Sequence, residues 1–166
     1  MMGSWKTTVS KILADDLNYE PLDIDDDIQE MTGLSISGIF DLYGEDGFRA
    51  MESKYFENIS KMDKKVISTG GGIVTNPNAQ AILKSSSSSF YLRASASTLS
   101  KRIKNFINRP LLDDNSDIPI IEQLDLLLDK RENLYISSSS YIIETDNISP
   151  NQIKNKIIDI IKNERI

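Results

Sequence analysis

Val66-Ile67-Ser68-Thr69-Gly70-Gly71-Gly72-Ile73-Val74 is the stretch whose reading decides the fold. Its β-branched start suits a buried strand, and the run then breaks into polar residues and three glycines. Asn76-Pro77 follows, an N-cap residue and a proline suited to the first helical position. The reading is therefore strand, glycine corner, helix. Glycines at the carboxyl end of a sheet strand expose bare backbone to a ligand, and in open α/β sheets that edge is where ligands bind. A tight turn alone would not need three consecutive glycines.

Working outward, the 166 residues suffice for one domain with a real core. The sequence has no run of about 18 apolar residues and no signal-peptide pattern. Cysteine is absent, which removes disulfides and thiolate chemistry and fits a reducing compartment. Histidine is absent too, so acid–base work falls to carboxylates, lysine or tyrosine, and imidazole metal sites are excluded. A net charge of −6 argues against non-specific nucleic-acid binding.

Toward the amino end, Lys6-Thr7 fits the close of the phosphate-loop pattern G-x-x-x-x-G-K-[ST], with Trp5 standing where that pattern has glycine. Val9, Ile12, Leu13 and Leu17 recur at helical spacing, predicting a helix over 6–16 whose amino terminus could face an anion. A short strand over 19–22 runs into an acidic cluster, with Asp25 as the expected cap of a helix over 26–31 closed by Gly33. Ser35 caps a helix ended by Gly44, and a longer helix over 45–60 carries Phe48, Met51, Tyr55 and Ile59 inward. Arg49 and Glu52 sit at i, i+3 on it and can pair. Beyond the glycine corner come a helix over 77–83, a strand over 89–93, a helix over 95–107, a polar loop over 113–119, a helix over 120–134, a strand over 141–144, and an amphipathic helix opened by Ser149-Pro150. Strands alternating with helices predict an α/β fold with a parallel sheet in three layers. The extra helices between 26 and 60 look like an inserted substrate lobe.

Taken together, these pieces resemble the shikimate kinase family of small P-loop kinases. The resemblance rests on Gly3-Ser4 with Lys6-Thr7, Leu22-Asp23-Ile24-Asp25, Thr32-Gly33-Leu34-Ser35-Ile36, Gly44-Glu45, Phe48-Arg49 with Glu52, Ser68-Thr69-Gly70-Gly71-Gly72, Arg109-Pro110-Leu111-Leu112, and Arg131 with Leu134-Tyr135. Each is modest, but their order and spacing across nearly the whole chain are specific. The resemblance implies a single domain of P-loop kinase type over 1–166, with a substrate lobe near 25–60 and a lid near 109–120. It implies transfer of the ATP γ-phosphoryl to the 3-hydroxyl of shikimate, on the chorismate route to aromatic amino acids, with Mg²⁺ as cofactor and ATP as co-substrate.

Residue by residue, the resemblance gives Lys6, Asp25 and Arg109 catalytic roles. Asp25, Arg49, Gly70, Gly71, Gly72 and Arg131 would bind shikimate. Gly3, Ser4, Lys6, Thr7, Thr8, Arg102, Arg109 and Pro150 would bind nucleotide, Arg102 and Pro150 sandwiching the adenine, while Thr7 and Asp23 would serve the metal. The chemistry agrees: a planar guanidinium fork suits a carboxylate, aspartate suits hydroxyls, and phosphoryl transfer needs positioning and charge neutralisation. The expected partners are shikimate and ATP, with no nucleic acid and no membrane, for a monomer in the cytoplasm or, in a photosynthetic eukaryote, the plastid stroma. The alternatives are a non-catalytic relative that binds without turnover, and a kinase of another polyol acid such as gluconate.

Two departures stand out. The strand that leads into the phosphate loop in this family does not precede Met1, so a truncated chain lacking the first, central strand is expected. Trp5 replaces a glycine, and a Cβ in a left-handed conformation costs about 1–2 kcal/mol. A single base separates a glycine codon from that of tryptophan. The expectation is a chain that binds shikimate better than ATP.

Overall fold

A computed structural model describes residues 1–103, 111–112 and 116–164. Its elements in order are α1 (Lys6–Leu17), β1 (Glu20–Asp23), α2 (Ile24–Thr32), α3 (Ile36–Ile59), β2 (Lys65–Ser68), a 3-10 turn (Ile73–Thr75), α4 (Pro77–Ser85), β3 (Phe90–Arg93), α5 (Ala96–Arg102), α6 (Ile120–Ser138), β4 (Tyr141–Glu144) and α7 (Pro150–Glu164). Local chemistry sets most boundaries. Ser35 accepts from the Gly38 amide to open α3, Asn76 accepts from Asn78 and Ala79 ahead of Pro77 to open α4, and Ser95 accepts from Thr98 to open α5. Gly44 (φ 71°, ψ 174°) breaks the helical path inside α3, so the two helices expected there run on as one kinked element. At α7, Ser149 and Gln152 form a reciprocal capping box, the Gln152 side chain accepting from the Ser149 amide at 2.8 Å.

Several helix boundaries differ from expectation. α2 begins at Ile24 because Asp23, not Asp25, is its cap: Asp23 Oδ1 accepts from the Asp25 amide. α5 ends at Arg102, since Ile103 turns to extended backbone (ψ 104°), and residues 104–107 of the expected helix lie outside the described residues. α6 runs one turn past its expected end, to Ser138.

All strand pairing is parallel, β1 with β2 and β3 with β4. Side chains alternate across β3, and that alternation makes the layers. Tyr91 points into a cluster with Ile24, Ile39, Phe48, Ile73 and Leu124, while Leu92 points the other way into a cluster with Val9, Leu13, Ile143, Ile153 and Ile157. Helices α1 and α7 cover this second face, and α2, α3, α4 and α6 supply the first, which is the three-layer α/β arrangement expected. Among the described residues no ladder joins β2 to β3. A cavity of about 60 Å³ lies there, lined by Met1, Gly70, Tyr91 and Tyr135 among others. Met1 is buried in the larger cluster, and its carbonyl accepts from Ser4 Oγ and Lys6 Nζ, both at 2.7 Å.

Candidate active site

The register of the first ladder builds the site. Glu20 pairs with Lys65 and Asp23 with Ser68, so both strands end side by side, one running into the acidic turn and the other into the glycine corner. A cleft of about 520 Å³ opens there. It is lined by Gly3, Lys6, Thr7 and Thr8 from the first loop and α1, by Asp23 and Asp25, by Arg49, by Gly70, Gly71 and Gly72, and by Arg102 and Arg131. Of the candidate residues, two stay out of it. Ser4 is 1% exposed, with its hydroxyl spent on the Met1 carbonyl, and it lines the small cavity instead. Pro150 opens α7 and does not line the cleft. Arg109 lies outside the described residues, as do 113–115 of the expected lid; of that lid, Leu111 lines the cleft and Leu112 is buried.

At one end Thr7 Oγ1 donates to Asp23 Oδ2 at 2.7 Å, leaving Oδ1 of the same carboxylate to cap α2. This double duty turns Asp25 into the cleft. Its Oδ1 is buried without a hydrogen-bond partner, and desolvation raises its pKa above the ordinary carboxylate range against the opposing pull of Lys6. Glu52 shares its fate: 1% exposed, Oε1 unpartnered, its pKa lifted to about 6 by burial although Arg49 pulls the other way. A Cβ on Gly70 would stand 2.1 Å from Glu52 Oε1 and 2.8 Å from Asp25 Oδ1, so only glycine lets both carboxylates approach this backbone.

At the other end Arg49 and Arg131 converge from α3 and α6. Arg49 Nη1 donates to Glu52 Oε2 at 2.7 Å, and Arg49 also crosses the Phe48 ring at 5.1 Å. Glu45 Oε1 sits between the two arginines, 3.2 Å from Arg49 Nη2 and 3.8 Å from Arg131 Nη2. Arg131 is buried, and one turn along α6 the Tyr135 hydroxyl donates to the Gly71 carbonyl at 2.5 Å. Helix α6 thus aims one arginine and pins the glycine corner together. Tyr135 is itself stacked on Tyr91, with ring centroids 4.9 Å apart.

On the rim, Trp5 caps α1 in a left-handed conformation (φ 65°, ψ 22°), so the strain expected of a side chain at this position is present. No side chain caps the first turn of α1. Glu45, Glu52 and Tyr135 received no site role from the sequence. The two acids had a readable signal, since both lie one helical turn from Arg49; the Tyr135 contact, 64 residues away from Gly71, had none.

A family model described as Shikimate kinase matches residues 2–162. The shikimate kinase of Caldicellulosiruptor bescii is 37% identical over 159 residues, covering 96% of this chain and 90% of that protein. That of Sulfurihydrogenibium sp. is 38% identical over 161 residues, covering 97% and 93%. The solved shikimate kinase from Acinetobacter baumannii in complex with shikimate matches with a TM-score of 0.92 at 33% identity, over 99% of this chain and 90% of that one. The structure from Aquifex aeolicus matches with a TM-score of 0.82 at 29% identity, over 100% and 95%. With sequence and fold agreeing over nearly its whole length, the chain belongs to the shikimate kinase family.

Proposed function

We infer that the chain transfers the γ-phosphoryl group of ATP to the 3-hydroxyl of shikimate. One observation carries the substrate side: two arginines from separate helices face a single carboxylate oxygen, that of Glu45, at 3.2 and 3.8 Å. Glu45 is partly exposed and stands in for a ligand carboxylate, which a guanidinium pair would hold with charge-assisted bonds. The unpartnered Asp25 Oδ1 supports the next assignment. An acceptor already desolvated, with its pKa raised, is suited to take a hydrogen bond from the attacking hydroxyl and to draw its proton as the phosphorus–oxygen bond forms. Gly70, Gly71 and Gly72 would bring bare backbone against the same substrate.

On the nucleotide side, Lys6 and the open first turn of α1 would face the phosphates. The donor set fits Mg²⁺: Thr7 hydroxyl and Asp23 carboxylate are hard oxygens already 2.7 Å apart. Two protein oxygens would leave the rest of the ion's coordination to phosphate oxygens and water. When bound, the ion supplies charge neutralisation on the transferring group. Arg102 on the rim would meet the base; Pro150, which does not line the cleft, is left out of this reading, and Arg109 would reach the phosphate from the lid.

The chain would work as one domain, with residues 25–60 as substrate lobe and 109–120 as lid, as a cytoplasmic monomer whose partners are small molecules. A net charge of −6 disfavours nucleic acid as a partner. The test is ADP release measured with shikimate, quinate and gluconate in parallel. Shikimate-dependent turnover is expected, and turnover with gluconate but not shikimate would overturn the assignment.

A further inference from the structure

The rim of the cleft holds a contact for which the function above has no use. Trp5 is the sole tryptophan of the chain. Its left-handed backbone swings the indole across the rim, where Arg102 Cζ lies over the ring 3.6 Å from its centroid. Arg102 cannot easily swing aside. Its Nη1 donates to Thr145 Oγ1 at 3.1 Å and its Nη2 to the Thr145 carbonyl at 2.5 Å. Thr145 is fully buried and is itself tied to the Arg93 carbonyl through both its amide and its hydroxyl, each at 2.8 Å. The indole is held as well, being half-buried against the cluster of Val9, Leu13 and Ile153. Two N–H groups bonded to Thr145 hold the guanidinium in place, and the indole covers one of its flat faces.

We propose that Trp5 is a determinant of nucleotide affinity that competes with the nucleobase for the face of Arg102. This rests on the reading that ATP occupies the Lys6 side of the cleft. A base is a flat π-system like the indole; on this proposal it takes the face that the indole covers, so base binding requires the two to exchange. The phosphates would bind at Lys6 and Thr7 and need no such exchange. The cost of Trp5 should therefore fall on nucleotides and spare ligands made of phosphate alone.

The experiment titrates the full chain, Trp5→Leu and Trp5→Gly with Mg-ATP, with magnesium tripolyphosphate and with shikimate, by calorimetry, and follows Trp5 emission in the unmodified chain. Leucine keeps the left-handed Cβ and removes the ring. Trp5→Leu should bind Mg-ATP about 2- to 30-fold more tightly, the range a cation–π contact of this kind supports. Its tripolyphosphate and shikimate affinities should match those of the unmodified chain, and Trp5 emission should respond to ATP but not to tripolyphosphate. Should the leucine form fail to fold, Trp5→Gly decides the matter through the ratio of its two gains, which must be larger for ATP than for tripolyphosphate. An ATP affinity in the variants equal to or below that of the unmodified chain overturns the proposal, as does an equal gain for tripolyphosphate, which would place the effect in the phosphate loop. Absence of shikimate binding would count against the functional reading alone, because the nucleotide arm decides this proposal by itself.

Discussion

Gly72→Ala should damage substrate binding by displacing Arg49 and not by straining the backbone. The backbone at Gly72 has φ −97° and ψ −5°, which alanine adopts without strain, so the substitution carries no conformational penalty of its own. The added methyl carbon would lie 2.1 Å from Arg49 Cζ and Nη2 and 2.4 Å from Nη1, inside the guanidinium. Arg49 must move outward through its partly exposed side (13%), which also breaks its 2.7 Å bond to the buried Glu52 carboxylate, so some stability is lost along with the contact. Losing one hydrogen-bonded contact to a charged group costs about 1.5–3 kcal/mol, which is roughly a 10- to 150-fold rise in the shikimate dissociation constant. Calorimetric titration with shikimate measures it. The double substitution with Arg49→Ala supplies the control. Both changes remove the same contact, so their effects should overlap rather than add. Binding within twofold of the unmodified chain, or additive losses in the double variant, would refute the reasoning.

Other outcomes follow from the same geometry. Burial lifts Glu52 from 4.5 to about 6 in the folded chain, so its stabilising contribution is fully present below pH 4.5 and is lost as pH rises through 6, about 2 kcal/mol in all. Glu52→Gln should flatten that part of the stability profile; urea unfolding at pH 4.5 and pH 7 checks it, and equal pH dependence in both proteins would contradict the assignment. Thr7→Val removes the hydroxyl bonded to Asp23, so Mg-ATP affinity should fall roughly 10- to 150-fold with shikimate affinity unchanged in calorimetry, for loss of a bond to a charged group. Ile39 is fully buried at the centre of the larger cluster, and Ile39→Ala should cost about 2–5 kcal/mol, a drop of roughly 5–20 °C in Tm by calorimetric scanning.

Much of this protein is legible along the chain because its causes are local. The strand before the glycine corner, the proline and asparagine that open α4, the serine caps of α3 and α5, and the left-handed position at Trp5 each depend on a few neighbouring residues, and each stands where those residues imply. The acidic turn shows the limit of local reading. Asp23 and Asp25 are both capable caps, and only the pairing of β1 with β2, which carries Asp23 to Thr7, decides that Asp23 caps and Asp25 faces the cleft. The same holds for Glu45 and Glu52. Their spacing from Arg49 predicts ion pairs, but that Glu45 also faces Arg131, and that Glu52 is sealed against Gly70, depends on helices brought together from distant parts of the chain. Ser4, placed in the cleft by the family pattern, is turned away from it by its bond to the Met1 carbonyl, which the pattern does not encode. The residue types of the site were written in the sequence because carboxylates, guanidiniums and glycines announce their chemistry. Which oxygen is buried, which face of Arg102 is covered and which backbone is approached were decided by packing, since desolvation and steric exclusion exist only once the layers have closed.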